Sequence, residues 1–406
     1  MLHYIRLCLT YLLGFLTFFL IFCSRPFVLF KLVRIDTINY GRFFDNFSIY
    51  INQREFFDKE TKKIKHILWF SNKEFSNDYI KKKYLDRFKV YEYNFLFYSI
   101  DKVLRLFNYN KNLLDIMSIF EIEKKFYVSK NCNNLGWSFK NYFDFEKEEE
   151  KKGLEILENF NLKKDSKWIC IHNRDRDFKK KINFENVEKS HLHRNFNISL
   201  LRKAANIFAD NGYYVFRIGS HQSEKINFSS DKIFDYPFSN NYSSFGNIFL
   251  MKYCQAYFGS NSGASTPAVS FKRPIAYVNF APLHLNLSTF FKTLPSIFKR
   301  LKSLDSNKFL TLKEMFAKNL MGKSNFNEIE KKGYVHIDNS EDDISDLALE
   351  ILSCLNGNLI YTKNESQLME TYNEIFDKYA KNLYGGPRSQ LLIGKEFLKK
   401  NVDLLN

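Results

Sequence analysis

The chain predicts a doubly wound, mostly parallel α/β fold, and three observations carry that expectation. Short apolar runs at residues 67–70, 168–172 and 213–218 have the length and continuity of buried strands. Segments of helical period separate them in strand-helix-strand succession. Two strands open into loops, one charged and one of small residues, at the carboxyl ends where open α/β sheets bind ligands.

The elements follow in order. Residues 7–23 carry no charge, and eleven of these seventeen are Leu, Ile or Phe, so bilayer insertion is favourable by roughly 3 to 7 kcal/mol from those residues alone. The stretch is just long enough to span. A cleavable signal fits poorly, since no A-x-A site follows and Phe22 before Cys23 is too bulky for lipoprotein cleavage. Arg25, Lys31 and Arg34 follow the segment while only Arg6 and the amino terminus precede it, which by the positive-inside rule puts the bulk of the chain in the cytoplasm. A monotopic hairpin broken at Pro26 is the rival, because residues 27–30 continue the apolar character. Residues 1–34 are read as an anchor whose removal leaves a folded remainder.

Residues 35–152 read as a first α/β unit, with strands at 67–70 and 89–93 around a helix at 77–88. The run EKEEEKK at 146–152 marks a solvated helix face or a connection. In a second unit, 153–330, residues 199–211 place Leu201, Ala204, Ala205 and Phe208 on one helical face, with Gly212 as the stop. The strand at 213–218 ends at Gly219, a helix follows at 243–253, and another strand ends at Tyr257 and Phe258. Residues 331–406 read as a helical tail: Ser340 and Asp343 form a capping box before Ile344, Leu347, Ile351 and Leu355, and Gly357 stops the helix.

With 406 residues, 45% hydrophobic and 17% aromatic, the chain has material for two or three buried cores. Lys and Arg outnumber Asp and Glu by 61 to 45, a net +16 that would attract anionic lipid, nucleotides or nucleic acid. Phe, Tyr, Lys, Asn and Ile are inflated together, as in AT-rich coding sequence, which accounts for most of that charge. No RNP-like strand, zinc finger or recognition helix is evident, so nucleic acid is not an expected partner. The six cysteines lack a C-x-x-C pair, a pattern that suits a reducing compartment and supports neither a disulfide framework nor a zinc site.

The charged loop closes the segment WICIHNRDRD at 168–177, where His172, Arg174, Asp175, Arg176 and Asp177 cluster. Arg174 and Arg176 there would meet an anion, or else form solvated surface. The second loop runs from Gly259 through Ser260, Asn261, Ser262, Gly263, Ala264 and Ser265 to Thr266, then into a short helix carrying Pro267 and a strand at 274–278. Small residues admit a ligand close to the backbone and a helix N-terminus offers unpaired N–H groups, so this is a phosphate cradle or a tight turn holding nothing. It is neither a Walker A loop nor G-x-G-x-x-G.

His172-Asn-Arg174-Asp-Arg-Asp177 fits H-x-R-x-x-D, similar to the motif of GT-B fucosyltransferases in which the arginine grips the pyrophosphate of a nucleotide sugar. More of the chain resembles a broad group of bacterial glycosyltransferases found with surface-polysaccharide biosynthesis genes. The shared elements read here as Arg25-Pro26, His172 with Arg174 and Asp175, Arg194-Asn195, Arg217-Ile218-Gly219, and Gly259-Ser-Asn-Ser262-Gly263 with Pro267-Ala268. Two departures stand out: Ser260 and Asn261 differ from the usual loop, and Asn247 stands where an acid is expected before Ile248. The resemblance implies a GT-B-like architecture of two Rossmann-like domains, acceptor-side at 35–152 and nucleotide-sugar-binding at 153–330, with a membrane segment before them and a helical cap after them. It implies transfer of a sugar from a nucleotide-sugar donor to a surface polysaccharide, lipid-linked or protein glycan acceptor, at the inner membrane with the catalytic domains cytoplasmic. No cofactor beyond the donor and no metal is expected. A membrane-anchored nucleotide-binding or inactive scaffold of polysaccharide assembly is the alternative.

In such a transfer, charge builds on the departing diphosphate, and without a metal cations and amides must take it. Arg174 and Arg194 are the expected clamp, with Asn195, Gly219, Ser262, Gly263, Ser265 and Thr266 completing the donor site. The catalytic candidates are His172, Arg174, Asp177 and His191, while the general base stays open among His191, His193, Asp175, Asp177 and Glu185. Asp175-Arg-Asp177 mimics the D-x-D metal site of GT-A enzymes, although an arginine between the ligands would repel a divalent cation. Arg217 either pairs with acids inside the sheet crevice or lies at the surface.

Overall fold

The computed structural model of the chain describes residues 2–57, 63–107, 113–114, 140–175, 189–220, 222–281, 294–320, 326–384 and 392–406. It divides between Asp144 and Phe145 into two compact α/β units.

The first unit opens with α1 (Leu2–Ser24), followed by β1 (Leu29–Ile35), α2 (Tyr40–Phe57) and β2 (Ile64–Phe70). Next come α3 (Asp78–Arg87), β3 (Val90–Tyr91), α4 (Phe95–Leu106) and β4 (Leu113–Leu114). The strands pair in parallel in the order β3-β2-β1-β4, and β1 runs beside β2 from Leu29 opposite Ile64 to Ile35 opposite Phe70. Asn77 and Asn94 start α3 and α4 by accepting from the amides of Ile80 and Phe97, the local capping that Asn favours. The aromatic excess of the sequence fills this core: Phe43 stacks on Tyr84 at 5.3 Å, and the Tyr84 hydroxyl donates to the Phe43 carbonyl.

One expectation changes here. The last residues of the expected anchor belong to β1, an inner strand of the sheet in which Val33 is wholly buried. Arg34, counted as a flanking charge, instead lies 3.7 Å from Asp101 of α4. Excising residues 1–34 therefore removes all of β1 but Ile35, the strand that pairs with both β2 and β4, along with the apolar helix, and the first unit should not survive it.

The second unit begins with α5 (Lys147–Glu158), the charged run of the sequence. The run is largely the solvated helix face of the first reading, with Glu146, Lys147, Glu148, Lys151 and Lys152 exposed, although Glu149 is buried and Glu150 accepts from Tyr253 and Lys252 of the helix it packs on. Then follow β5 (Trp168–His172), α6 (Arg202–Asp210), β6 (Tyr214–Arg217), β7 (Ile233–Asp235), α7 (Ser244–Tyr253), β8 (Ala256–Gly259), α8 (Thr266–Ser270) and β9 (Ile275–Tyr277). These strands form a parallel sheet in the order β7-β6-β5-β8-β9. Every residue of β5 and β8 is buried, as continuous apolar runs require when helices cover both sheet faces.

The chain continues through β10 (Arg300–Ser303), α9 (Leu312–Ala317), α10 (Phe326–Lys331), β11 (Tyr334–Ile337), α11 (Glu341–Leu355), α12 (Lys363–Tyr384) and α13 (Lys395–Lys400). The tail expected to be helical thus supplies a strand, with β11 antiparallel to β10. Ser340 caps α11 as anticipated, donating to Asp343 and accepting from its amide. Leu347 and Ile351 of α11 share one core with Ala204 and Phe208 of α6, so the tail completes the second unit's core.

Candidate functional site

Strand order in the second unit reverses between β5 and β8, the topological switch point at which open α/β sheets leave a crevice. Both loops singled out in the sequence leave this point. His172 lies opposite Gly259 in register, and the Ser260 amide donates to the His172 carbonyl at 2.9 Å. A Cβ on Gly259 would fall 2.1 Å from that carbonyl oxygen, so only glycine permits the approach.

A short 3-10 turn, Lys189–Arg194, brings the expected clamp to the same place. Arg174 Nη1 donates to the side-chain carbonyl of Asn195, and Arg194 Nη1 donates to the Asn261 carbonyl at 3.3 Å. A hydrogen-bonded run therefore connects the β5 loop, through Arg194 and Asn195, to the β8 loop. Asn195 orients Arg174 with its carbonyl, and its own backbone carbonyl accepts from Lys299 Nζ at 2.7 Å. The half-buried Arg194 guanidinium has no carboxylate partner among the described residues, its Nε is buried without an acceptor, and burial lowers its pKa. A cation taken out of water without a counter-charge is unfavourable, and an anion bound beside it removes that penalty.

The β8 loop offers amides, and its hydroxyls are taken up within the loop only in part. The N–H groups of Asn261, Ser262 and Gly263 find no acceptor among the described residues, and Ser262 and Gly263 reach solvent. Successive amides without an internal acceptor are the kind of group that binds an anion where they converge. Of the hydroxyls expected to help, the buried Ser265 Oγ donates to the Ser262 carbonyl and lies 3.1 Å from Tyr277 Oη, while Ser262 Oγ accepts from the Ala264 amide, a bond that does not use its hydrogen. Thr266 starts α8, whose five residues give little macrodipole, so loop amides replace the expected helix end as the source of positive potential. The departure at Asn261 has a structural reason, because its side chain clamps Ala281, donating to the carbonyl at 2.9 Å and accepting from the amide.

His172 is buried, and its Nδ1–H donates to the Ile218 carbonyl at 3.0 Å. Burial above all, and then the positive charge of Arg217, pulls its pKa down to about 4, so it is a neutral imidazole at physiological pH. His193 is buried and stacks on His336 at 5.2 Å, and His336 is pulled down to about 3 by burial and by the Lys299 ammonium. Asp175 accepts from both the amide and the hydroxyl of Ser223 on one oxygen, at 2.8 and 3.1 Å, which fixes the loop after β6. Arg217 resolves to the first of its two readings: wholly buried, it lies 3.4 Å from Asp235 and donates to Asn173, Gln222 and the Glu224 carbonyl. Gly219 follows at φ +133°, held by Asn247, which accepts from its amide and donates to its carbonyl at 3.1 and 2.8 Å. A carboxylate at position 247 could not make that second bond. Arg176, Asp177, Glu185 and the side chain of His191 lie outside the described residues. Lys299 and His336 had no signal in the sequence, since they enter from the residue before β10 and from β11, more than a hundred residues beyond the turn they support.

No protein-family profile and no curated protein sequence matches the chain. Among solved structures it is similar to ADP-heptose LPS heptosyltransferase II of E. coli, at 11% identity and a TM-score of 0.38 over 66% of this chain and 90% of that one. It is also similar to a family 9 glycosyl transferase from Veillonella parvula, at 9% identity and a TM-score of 0.40 over 80% and 98% of the two chains. The wall teichoic acid polymerase TagF aligns at 10% identity and a TM-score of 0.26, over 81% and 89%.

Proposed function

We propose that the chain is a GT-B-like glycosyltransferase that binds the diphosphate of a nucleotide sugar at the switch point of its second unit. The observation that carries this reading is the Arg194 guanidinium, half-buried with no carboxylate partner among the described residues, against the carbonyl of Asn261, where three consecutive amides are open. The H-x-R-x-x-D resemblance of His172, Arg174 and Asp177 adds the second cation, already oriented by Asn195.

In this reading Arg174 and Arg194 take the charge that grows on the diphosphate as the sugar leaves, and the amides of Asn261, Ser262 and Gly263 bind the remaining oxygens. His172 positions the β5 loop through its bond to Ile218. The acceptor is a surface polysaccharide, lipid-linked or protein glycan, and the membrane is the partner of α1, with both units on the cytoplasmic face. His191, Asp177 and Glu185 are the remaining candidates for the base. Since burial makes His172 a weak base and Asp175 is committed to Ser223, a nucleotide-binding scaffold that has lost its chemistry is the second reading.

The test offers the full chain in detergent a panel of nucleotide sugars with a lipid-linked acceptor and follows products by mass spectrometry. A sugar-bearing product is expected, and Arg174→Ala should slow its formation by about a hundredfold, on the order of 3 kcal/mol of barrier. Binding without turnover selects the scaffold reading. A folded Arg174→Ala protein turning over at the wild-type rate removes the diphosphate clamp altogether.

A further inference from the structure

Among the described residues one helix, α1, is long and apolar enough to cross a membrane. Its place in the fold argues against its doing so. Thr10 and Gly14 are buried, Tyr11, Leu13, Thr17, Phe18 and Ile21 are half-buried, and together they make one face of the helix at i, i+3, i+4 and i+7 spacing. That face packs on α4. A Cβ on Gly14 would lie 2.5 Å from the Ser99 carbonyl oxygen and 2.5 Å from Val103 Cγ2, and Phe18 and Ile21 cover a core of Leu32, Trp69, Ile100 and Leu104. The link to β1 is a tight turn, in which the amides of Phe27 and Val28 both donate to the Ser24 carbonyl. Behind α1, Asp101 of α4 is buried between Arg105, at 2.9 Å, and Arg34, at 3.7 Å.

A spanning α1 must either leave α4, baring Trp69 and its neighbours to water, or draw the Asp101 ion pairs into hydrocarbon. Both are strongly unfavourable. The opposite face of α1 is nevertheless apolar and exposed along its length, through Leu9, Leu12, Leu16, Phe19 and Leu20. It continues onto α4, where Leu96, Leu106 and Phe107 are exposed along the edge that meets α1, and Phe107 lies 5.5 Å from Phe15 and 5.9 Å from Phe18.

We infer that α1 and α4 together form a monotopic docking surface for an anionic lipid bilayer, with α1 lying in the plane of the interface and not across it. The inference rests on the membrane partner proposed above. Lipid is the occupant that fits, because the surface is a two-helix apolar strip with Arg6 and Arg25 on α1's side and Lys102 on α4, on a chain of net charge +16. Leu106 and Phe107 then enter the headgroup boundary beside α1, and both ends of α1 stay on the side that holds the two units.

Inverted membrane vesicles from a bacterial host expressing the full chain test this. Tyr4→Cys and, as reference, the exposed Lys164→Cys are treated with a membrane-impermeant maleimide, and labelled peptides are identified by mass spectrometry. Both should react from the outer, cytoplasmic face. In reconstituted phosphatidylcholine/phosphatidylglycerol vesicles, a bimane on Leu106→Cys should be quenched by nitroxide-bearing lipid and one on Lys164→Cys should not. Labelling of Tyr4→Cys only after the vesicles are opened overturns the inference in favour of a span. An unquenched Leu106→Cys overturns it too, whether α1 inserts alone or a second copy covers the strip. Failure of the wild-type chain to sediment with vesicles removes the membrane partner itself, while the proposed transfer chemistry is read separately in detergent.

Discussion

Two arginines of the second unit are both withdrawn from water, and their surroundings differ in one respect. Arg217 lies within 3.4 Å of Asp235 and donates to Asn173, Gln222 and Glu224, so its charge is balanced inside the fold. Arg194 has a single hydrogen bond to a neutral carbonyl and no acid beside it among the described residues. The contrast teaches that burial of a cation is not in itself a sign of function. The missing counter-charge is, because folding leaves it for a ligand to supply.

The largest effect should come from breaking the balanced partner. Arg217→Ala leaves Asp235 and the carbonyls around it buried without their cation, and denaturant unfolding should show a loss of about 3 to 5 kcal/mol. A loss below 1 kcal/mol would erase the distinction between the two arginines. Arg194→Ala should do the reverse, weakening nucleoside diphosphate binding by about a hundredfold while stability stays within about 1 kcal/mol of wild type or rises. Calorimetric titration and a melting curve on the same sample read both numbers.

A carboxylate sharpens the same rule from the opposite sign. Burial raises the Glu350 pKa from 4.5 to about 7, while the Lys395 amide that both its oxygens accept from lowers it. The folded state therefore holds a proton that the unfolded state has released between about pH 4.5 and 7. Its contribution is fully present below the unfolded pKa and is lost as pH rises through the folded one. Glu350→Gln should flatten that fall and raise stability at pH 8 relative to wild type by roughly 2 to 3 kcal/mol, checked by urea unfolding at pH 5 and pH 8. The smallest expected effect is that of chelation. If arginines and amides supply the positive potential, turnover should survive EDTA unchanged, whereas manganese-restored activity would bring Asp175 and Asp177 back as metal ligands.

Much of the framework was legible because it is written over short distances. The strand Trp168–His172 and the α11 capping box depend on residues within a few positions of one another, and both stand where periodicity and capping put them. The β1 strand was hidden because its apolar residues resume the character of α1 just past Arg25-Pro26 and its Lys31 and Arg34 read as charges flanking a membrane segment, and only its pairing with β2 shows that they belong to a sheet. The roles of the loop's hydroxyls were hidden for a related reason. A serine-rich loop looks rich in donors to a ligand, yet Ser265 donates within its own turn, as short hydroxyl side chains readily do.

The amino-acid sequence by itself determined which segments would be strands or helices, where the two ligand-facing loops lie, and which arginines stand near them. Those properties arise from periodicity, caps and small residues close along the chain. Tertiary structure alone decided which arginine is left without a counter-charge, which loop groups stay open, and that Lys299 and His336 support the clamp from the distant β10 and β11 pair. The physical reason is that a charge's balance depends on whichever groups the sheet order carries to it. For Arg217 that order brings Asp235 on the neighbouring strand β7, and for Arg194 it brings only the backbone of the β8 loop.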